Sequence, residues 1–133
     1  RFVLFKRRSD VVMPGIWQPI SGKILKDETI KQALFRQVEK KTGNRALRMF
    51  KLDEVNAYYD DYYDTVMLVP SAASLILADI QLDKDLHDQC TFVLPDELPG
   101  LIYFPNQLRG FRLVKEYLSQ YGTKGSPVHE LIY

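Results

Sequence analysis

One stretch of helical periodicity, bracketed by strand-like segments, limits what this 133-residue chain can fold into. Between Asp27 and Gly43, the apolar residues Ile30, Ala33, Leu34 and Val38 recur at the spacing of a single helix face. Asp27 is placed to cap the start of that helix, and Gly43 to end it in a left-handed conformation. Before it, Phe2 to Phe5 is an apolar run that stops at Lys6-Arg7-Arg8, as a buried strand does on reaching solvent, and Ile16 to Ile20 reads as a short strand. After it, Leu47 to Asn56, Thr65 to Leu77 and Gln89 to Leu94 read as strands. Thr65 to Leu77 is apolar enough for a central strand, with Pro70 making part of it irregular. Asp96 is placed to cap a brief helical turn. Asn106, after Pro105, is placed to cap a second long helix whose buried stripe is Phe111, Val114, Tyr117 and Leu118. Strands and helices interspersed in this way give an α/β or α+β class.

The length suits one domain, expected over residues 1–121, with Gly122 onward as a linker to a tail of 122–133. Eighteen basic residues against seventeen acidic ones leave a formal charge of +1, so neither extended nucleic acid nor a membrane surface is an expected partner. The one cysteine, Cys90, excludes an intrachain disulfide and a multi-cysteine zinc site, and reads as an inert buried thiol. No apolar run approaches the ~20 residues of a membrane span. A cytoplasmic location is the expectation. The chain opens at Arg1, already within a strand-like segment, so targeting signals or a first strand could lie outside it.

The informative segment is Gly22, five residues, Glu28, seven residues, Arg36, then Val38 and Gly43. This frame resembles the box of the Nudix hydrolases, G-x5-E-x7-R-E-U-x-E-E-x-G-U, where U is bulky and aliphatic. Trp17-Gln18-Pro19-Ile20-Ser21-Gly22 resembles the strand that leads into the box. Asn56-Ala57-Tyr58-Tyr59 and Leu86-His87-Asp88-Gln89 resemble segments of the members hydrolysing dATP or dihydroneopterin triphosphate. The resemblance implies an α/β/α sandwich around a mixed sheet, lacking the family's usual opening strand, with the box as a loop–helix–loop at the active edge. It also implies pyrophosphate hydrolysis, in which box glutamates hold divalent cations because the reaction builds charge on phosphate oxygens.

The chain departs from that pattern where the chemistry resides. After Arg36 come Gln37, Val38, Glu39, Lys40 and Lys41, so the three box glutamates become one amide and two lysines. A further acid expected on a later strand aligns with Gln89, or with Asp88 after a one-residue slip. Glu39 is no substitute, because it lies about 130° around the helix from the face of positions 36, 37, 40 and 41. An ammonium about 5 Å from a divalent ion is repelled by roughly 6–7 kcal/mol at an effective dielectric near 20. No cofactor is therefore expected. The alternative is Mg²⁺ or Mn²⁺ on relocated ligands drawn from Glu28, Asp60 and Asp88.

Glu28 and Arg36 form, in the resembled family, a structural salt bridge, and Gly22 and Gly43 serve turns. Lys40 and Lys41 either hold phosphate directly with Arg36 or are solvated surface. Tyr58 to Asp64 reads as a polar, aromatic loop, in which Tyr58, Tyr59, Tyr62 and Tyr63 either stack on a base or form local or dimer contacts. Asp60, Asp61 and Asp64 either recruit a displaced metal or form turns. Trp17 is a pocket wall or core, and Asn106 a base-reading amide or a cap. His87 and His129 do not suggest a metal pair. The expected protein is a Nudix-type domain binding a phosphorylated nucleoside-like ligand, or a protein partner, with little or no hydrolysis. An active hydrolase with relocated metal ligands and a pure interaction module are the alternatives, and a homodimer stays open.

Overall fold

Leu4 and Phe5 are adjacent in strand β1 (Phe2–Arg7), and both are fully buried. Consecutive strand residues point to opposite faces, so β1 must be covered on both sides. The computed structural model, which describes residues 1–133, shows how. β1 is flanked by β2 (Trp17–Gln18) and a later strand (His87–Val93), both antiparallel to it. Leu4 points into a cluster with Val93 of the strand His87–Val93, Leu98 of the 3₁₀ turn Pro95–Gly100, Ile102 just after it and Phe111 of the C-terminal helix Pro105–Tyr121. Phe5, on the other face, lies 5.5 Å from the ring of His87.

Helix α1 (Ile30–Thr42) is capped by Thr29 rather than by Asp27. The Thr29 hydroxyl accepts from the Gln32 backbone N–H at 3.1 Å, and the Gln32 amide oxygen accepts from the Thr29 N–H at 2.9 Å. This reciprocal box satisfies two donors at once, which Asp27, turned to φ +62° in the preceding loop, does not do. Gly43 ends the helix as expected, at φ +73°. Phe35 and Val38 of α1 pack on Met49 of β3 (Arg48–Asp60).

β3 and β4 (Thr65–Leu75) form a two-stranded antiparallel hairpin, with a bulge on β3 between Lys51 and Val55. Two sequence expectations are corrected here. Tyr58 and Tyr59 lie in strand, not loop, because pairing continues through Tyr58↔Met67, Tyr59↔Val66 and Asp60↔Thr65. β4 is not central: β3 is its one strand partner, and Pro70 sits in that pairing opposite Val55. The turn at the tip is closed by Asp60, whose carboxylate accepts from the backbone N–H groups of Tyr62 and Tyr63 at 3.0 and 3.3 Å.

The remaining strand, His87–Val93, is β5, and the helix Pro105–Tyr121 is α2. Phe104, not Asn106, occupies the N-cap of α2, and Asn106 is its second residue. Proline at the first helical position already fixes the entry geometry. Of the expected stripe, Phe111 and Tyr117 are buried, Val114 is half-buried and Leu118 exposed. Asp96 likewise lies inside the 3₁₀ turn, with Leu94 as its cap. Beyond α2, the chain returns along β3. The Lys51 N–H donates to the His129 carbonyl and the Leu131 N–H to the Met49 carbonyl, each at 2.8 Å. The Tyr133 ring closes on Phe35 at 5.0 Å. The strands thus sort into two antiparallel sheets with helices around them, and a parallel bridge joins Trp17 to Ile102. No helix is long and apolar enough to cross a membrane.

Candidate functional site

The loop before α1 is stitched to the helix by one side chain. Arg36 donates from Nε to Glu28 Oε1 at 2.6 Å, from Nη2 to Glu28 Oε2 at 3.0 Å, and from Nη2 to the Lys23 carbonyl at 2.8 Å. Glu28 Oε2 also accepts from the Leu25 N–H at 2.9 Å. Arg36, and then the Leu25 N–H, hold the Glu28 carboxyl below its usual range, and Glu28 in turn raises Arg36. With all its capacity directed inward, this pair positions the loop.

At the next residue of the helix, the side chain of Gln37 lies against Gly22. A Cβ added at Gly22 would stand 2.0 Å from Gln37 Nε2, so the amide occupies the space that a larger residue would need. Gln37 Oε1 is buried without a hydrogen-bond partner. Lys41 is only 6% exposed and belongs to no ion pair of the protein. Burial lowers its pKa, Lys40 lowers it further, and Asp83 and Asp85 oppose both effects. Lys40 itself is exposed, so the two lysines divide between interior and solvent.

His87 belongs to the same neighbourhood, fully buried at the start of β5 and opposite Arg7 of β1. The side-chain nitrogen Nε2 of Gln18 lies 2.7 Å from its Nε2. With Gln18 donating, the ring proton sits on Nδ1, which is buried and unpartnered. Burial first, then Lys41 and Arg7, push the His87 pKa down to about 4 against the pull of Asp83 and Asp88. The unpaired Lys41 in the last turn of α1 and the unsatisfied imidazole N–H of His87 are therefore neighbours, with the unsatisfied Gln37 amide oxygen one turn back along the helix.

No family model and no curated protein matches the chain in sequence. Solved structures do match in shape. A MutT protein from Methanosarcina mazei superposes with a TM-score of 0.68 at 21% identity, covering 86% of this chain and 83% of its own. A Listeria monocytogenes protein assigned as a Nudix hydrolase reaches 0.77 at 16% identity, covering 90% and 84%. The dihydroneopterin triphosphate pyrophosphohydrolase of Escherichia coli gives 0.68 at 14% identity, covering 83% and 82%. The chain has the Nudix fold.

The Nudix fold implies a divalent cation at the box helix, and the donor set present here does not fit one. Hard cations take several oxygens. The helix offers one amide oxygen, at Gln37, beside the ammonium of Lys41. No three His, Cys, Asp or Glu side chains converge anywhere in the molecule. Glu28 is committed to Arg36, and Asp60 to the hairpin turn. Asp88 is exposed at the start of β5.

The structure brings Gly22, Glu28, Arg36 and Gln37 together, with Lys41 one turn further along. The other sequence candidates are engaged elsewhere. Trp17 packs on the Leu4 cluster, with Lys6 Nζ 5.9 Å from its ring centre. Tyr58 and Tyr59 are consecutive in β3 and so face opposite ways. Tyr59 donates its hydroxyl to Asp64 at 2.7 Å, which raises its pKa. The Asn106 carbonyl accepts from Asn56 at 3.3 Å, while the Asn106 residue is exposed. His129 pairs with Asp53 at 2.8 Å, far in the chain from the partners of His87. Burial raises the Cys90 pKa, in keeping with an unreactive thiol. Sequence reasoning missed Gln18 and His87 as site residues. The one available signal was a histidine where β5 begins, two residues before an alternating strand.

Proposed function

We propose that this Nudix-fold domain binds a phosphorylated, nucleoside-like small molecule, anchored by Lys41, with little or no hydrolysis. The observation that carries the reading is a largely buried lysine, Lys41, whose ammonium enters no ion pair. Burial disfavours the charged form and Asp83 and Asp85 offset this without pairing to it, so a bound anion is the natural partner. The Nδ1–H of His87 supplies a second unused donor close by, and exposed Lys40 adds charge at the rim. Hydrolysis would need an activated water, and the face of α1 that carries Arg36, Gln37, Lys40 and Lys41 presents neither a carboxylate base nor a set of oxygens for a cation, Glu39 lying on another face.

The test is a thermal-shift and calorimetric screen with nucleoside di- and triphosphates and sugar nucleotides, with and without EDTA. Binding that survives EDTA and is lost in Lys41→Met is expected. A ligand present at 100 times its Kd should add about 2.7 kcal/mol of stability. Phosphate release with Mg²⁺ or Mn²⁺ should stay at background. Turnover near 1 s⁻¹ or faster, within the ordinary enzyme range, would overturn the reading.

A further inference from the structure

One face of the β3–β4 hairpin carries the cross-strand pairs Val55↔Pro70, Ala57↔Leu68 and Tyr59↔Val66. Directly paired residues share a face, as do residues two apart along each strand, so these side chains form one continuous patch. None of them is charged or amide-bearing. Leu68 is 69% exposed, Val66 65%, Tyr59 62% and Val55 54%. The opposite face of the same strands turns toward the body, where Asn56 donates to the Asn106 carbonyl of α2. That inner face carries Asn56, Val69, Tyr58 and Met67, so the outer face is at least as apolar as the inner one, unlike the usual solvated sheet. An apolar patch on the order of 500 Å² is the size of the largest one on a typical monomer, which is often functional.

We propose that this face packs against the same face of a second copy of the chain, sheet on sheet, about a two-fold axis parallel to the strands. Two such patches bury on the order of 1,000 Å² in total, which reaches the lower bound of a specific interface. The patch is also its own complement. About that axis, Ala57 of one copy faces Leu68 of the other, and Tyr59 faces Val66. The largest aliphatic side chain therefore meets the smallest residue twice, as an isologous contact requires. Sheets packed face to face stand about 10 Å apart, a gap that a leucine opposite an alanine fills without a clash. The same axis brings the two hairpin tips to one end, so Asp60, Asp61 and Asp64 face their copies at about one Debye length, and association should strengthen with added salt. This assembly does not depend on any ligand at α1.

Sedimentation velocity of the full chain over a concentration series tests the proposal, with a Kd on the order of micromolar expected for so small an interface. Leu68→Lys and Val66→Lys should each weaken association at least tenfold while leaving circular dichroism and Tm near those of the parent. Val12→Lys, at an exposed apolar residue outside the hairpin, should leave it unchanged. Hydrogen exchange of the unmodified chain gives a readout free of mutation: amides of residues 66–69 should gain protection as concentration rises. A monomer at every concentration overturns the proposal and leaves the face to a different protein. Association that persists in both lysine variants, or that changes protection elsewhere but not at 66–69, also overturns it.

Discussion

Arg36 closes on both oxygens of Glu28, at 2.6 and 3.0 Å, while also holding the Lys23 carbonyl at 2.8 Å. One guanidinium thereby fixes three points of the loop that leads into α1. A lysine has no planar fork and cannot make these bonds together. Arg36→Lys should therefore free residues 23–28, seen as faster hydrogen exchange and new proteolytic cuts there, with Tm lower by a few degrees. The pH dependence has a defined sign. Because the folded pKa of Glu28 lies below its unfolded value, its contribution is present above the ordinary carboxylate range and is lost as pH falls through the folded pKa. Arg36→Lys should flatten that acid limb of a urea-midpoint profile.

Gly22 and Gln37 occupy one another's space. Gly22→Ala places a methyl group 2.0 Å from Gln37 Nε2 and 2.3 Å from its Cδ, so the amide must leave its buried position. Because the obstructing atoms are the far end of a flexible side chain beside an exposed glycine, the cost should lie at or below the ~1 kcal/mol low end of core overpacking. In a Gln37→Ala background the same change should cost measurably less, since the obstructing atoms are gone. Equal costs in both backgrounds, measured by urea denaturation, would show that Gln37 does not fill the loop.

What the sequence made legible follows the range of the forces involved. The Glu28–Arg36 pair and the stop at Gly43 are local devices, and both stand where the spacing put them. The start of α1 was misplaced because Asp27 and Thr29 are both good caps, and only Thr29 has Gln32 three residues on to complete the box. The hairpin was cut short because Tyr58 to Asp64 is polar enough for a loop, whereas cross-strand pairs that extend a strand are not visible along one strand. The helix face of Arg36, Gln37, Lys40 and Lys41 was counted as one cationic surface. Its division into buried Lys41 and exposed Lys40 depends on β1 and β5 meeting near it, through partners as distant as Arg7 and His87. Contacts of that range leave no periodic trace.

His87 makes stability depend on pH in a window separate from the carboxylates. Its folded pKa, about 4, lies below the ordinary value of 6.5. The neutral ring is favoured in the fold, so its contribution is complete above pH 6.5 and shrinks as pH falls toward 4, where the unfolded chain takes up a proton that the folded one refuses. The full loss amounts to about 3 kcal/mol. Urea midpoints should therefore decline between these limits, and His87→Gln should remove most of the decline. An unchanged slope in that variant would place the titrating group elsewhere.

Reversing the charge of the helix face is the most direct trial of why a metal does not fit it. The variant Gln37→Glu, Lys40→Glu, Lys41→Glu replaces one amide and two ammonium groups with three carboxylates on adjacent turns of α1. At Lys41 alone, a repulsion of roughly 6–7 kcal/mol toward a divalent ion becomes an attraction of similar size, taking about 5 Å and an effective dielectric near 20. Lys40, exposed to solvent, should contribute less. Calorimetry with Mg²⁺ and the magnetic resonance of Mn²⁺ should then detect binding absent from the parent protein. The metal-free variant should be the less stable of the two, since a carboxylate at position 41 is buried without a partner. Added Mg²⁺ should restore its Tm by mass action, while leaving the parent unmoved. Lys41→Met should gain no metal, because removing the repulsion supplies no ligand. If the triple variant binds no more metal than the parent, the box helix does not face the place where this fold holds its cations.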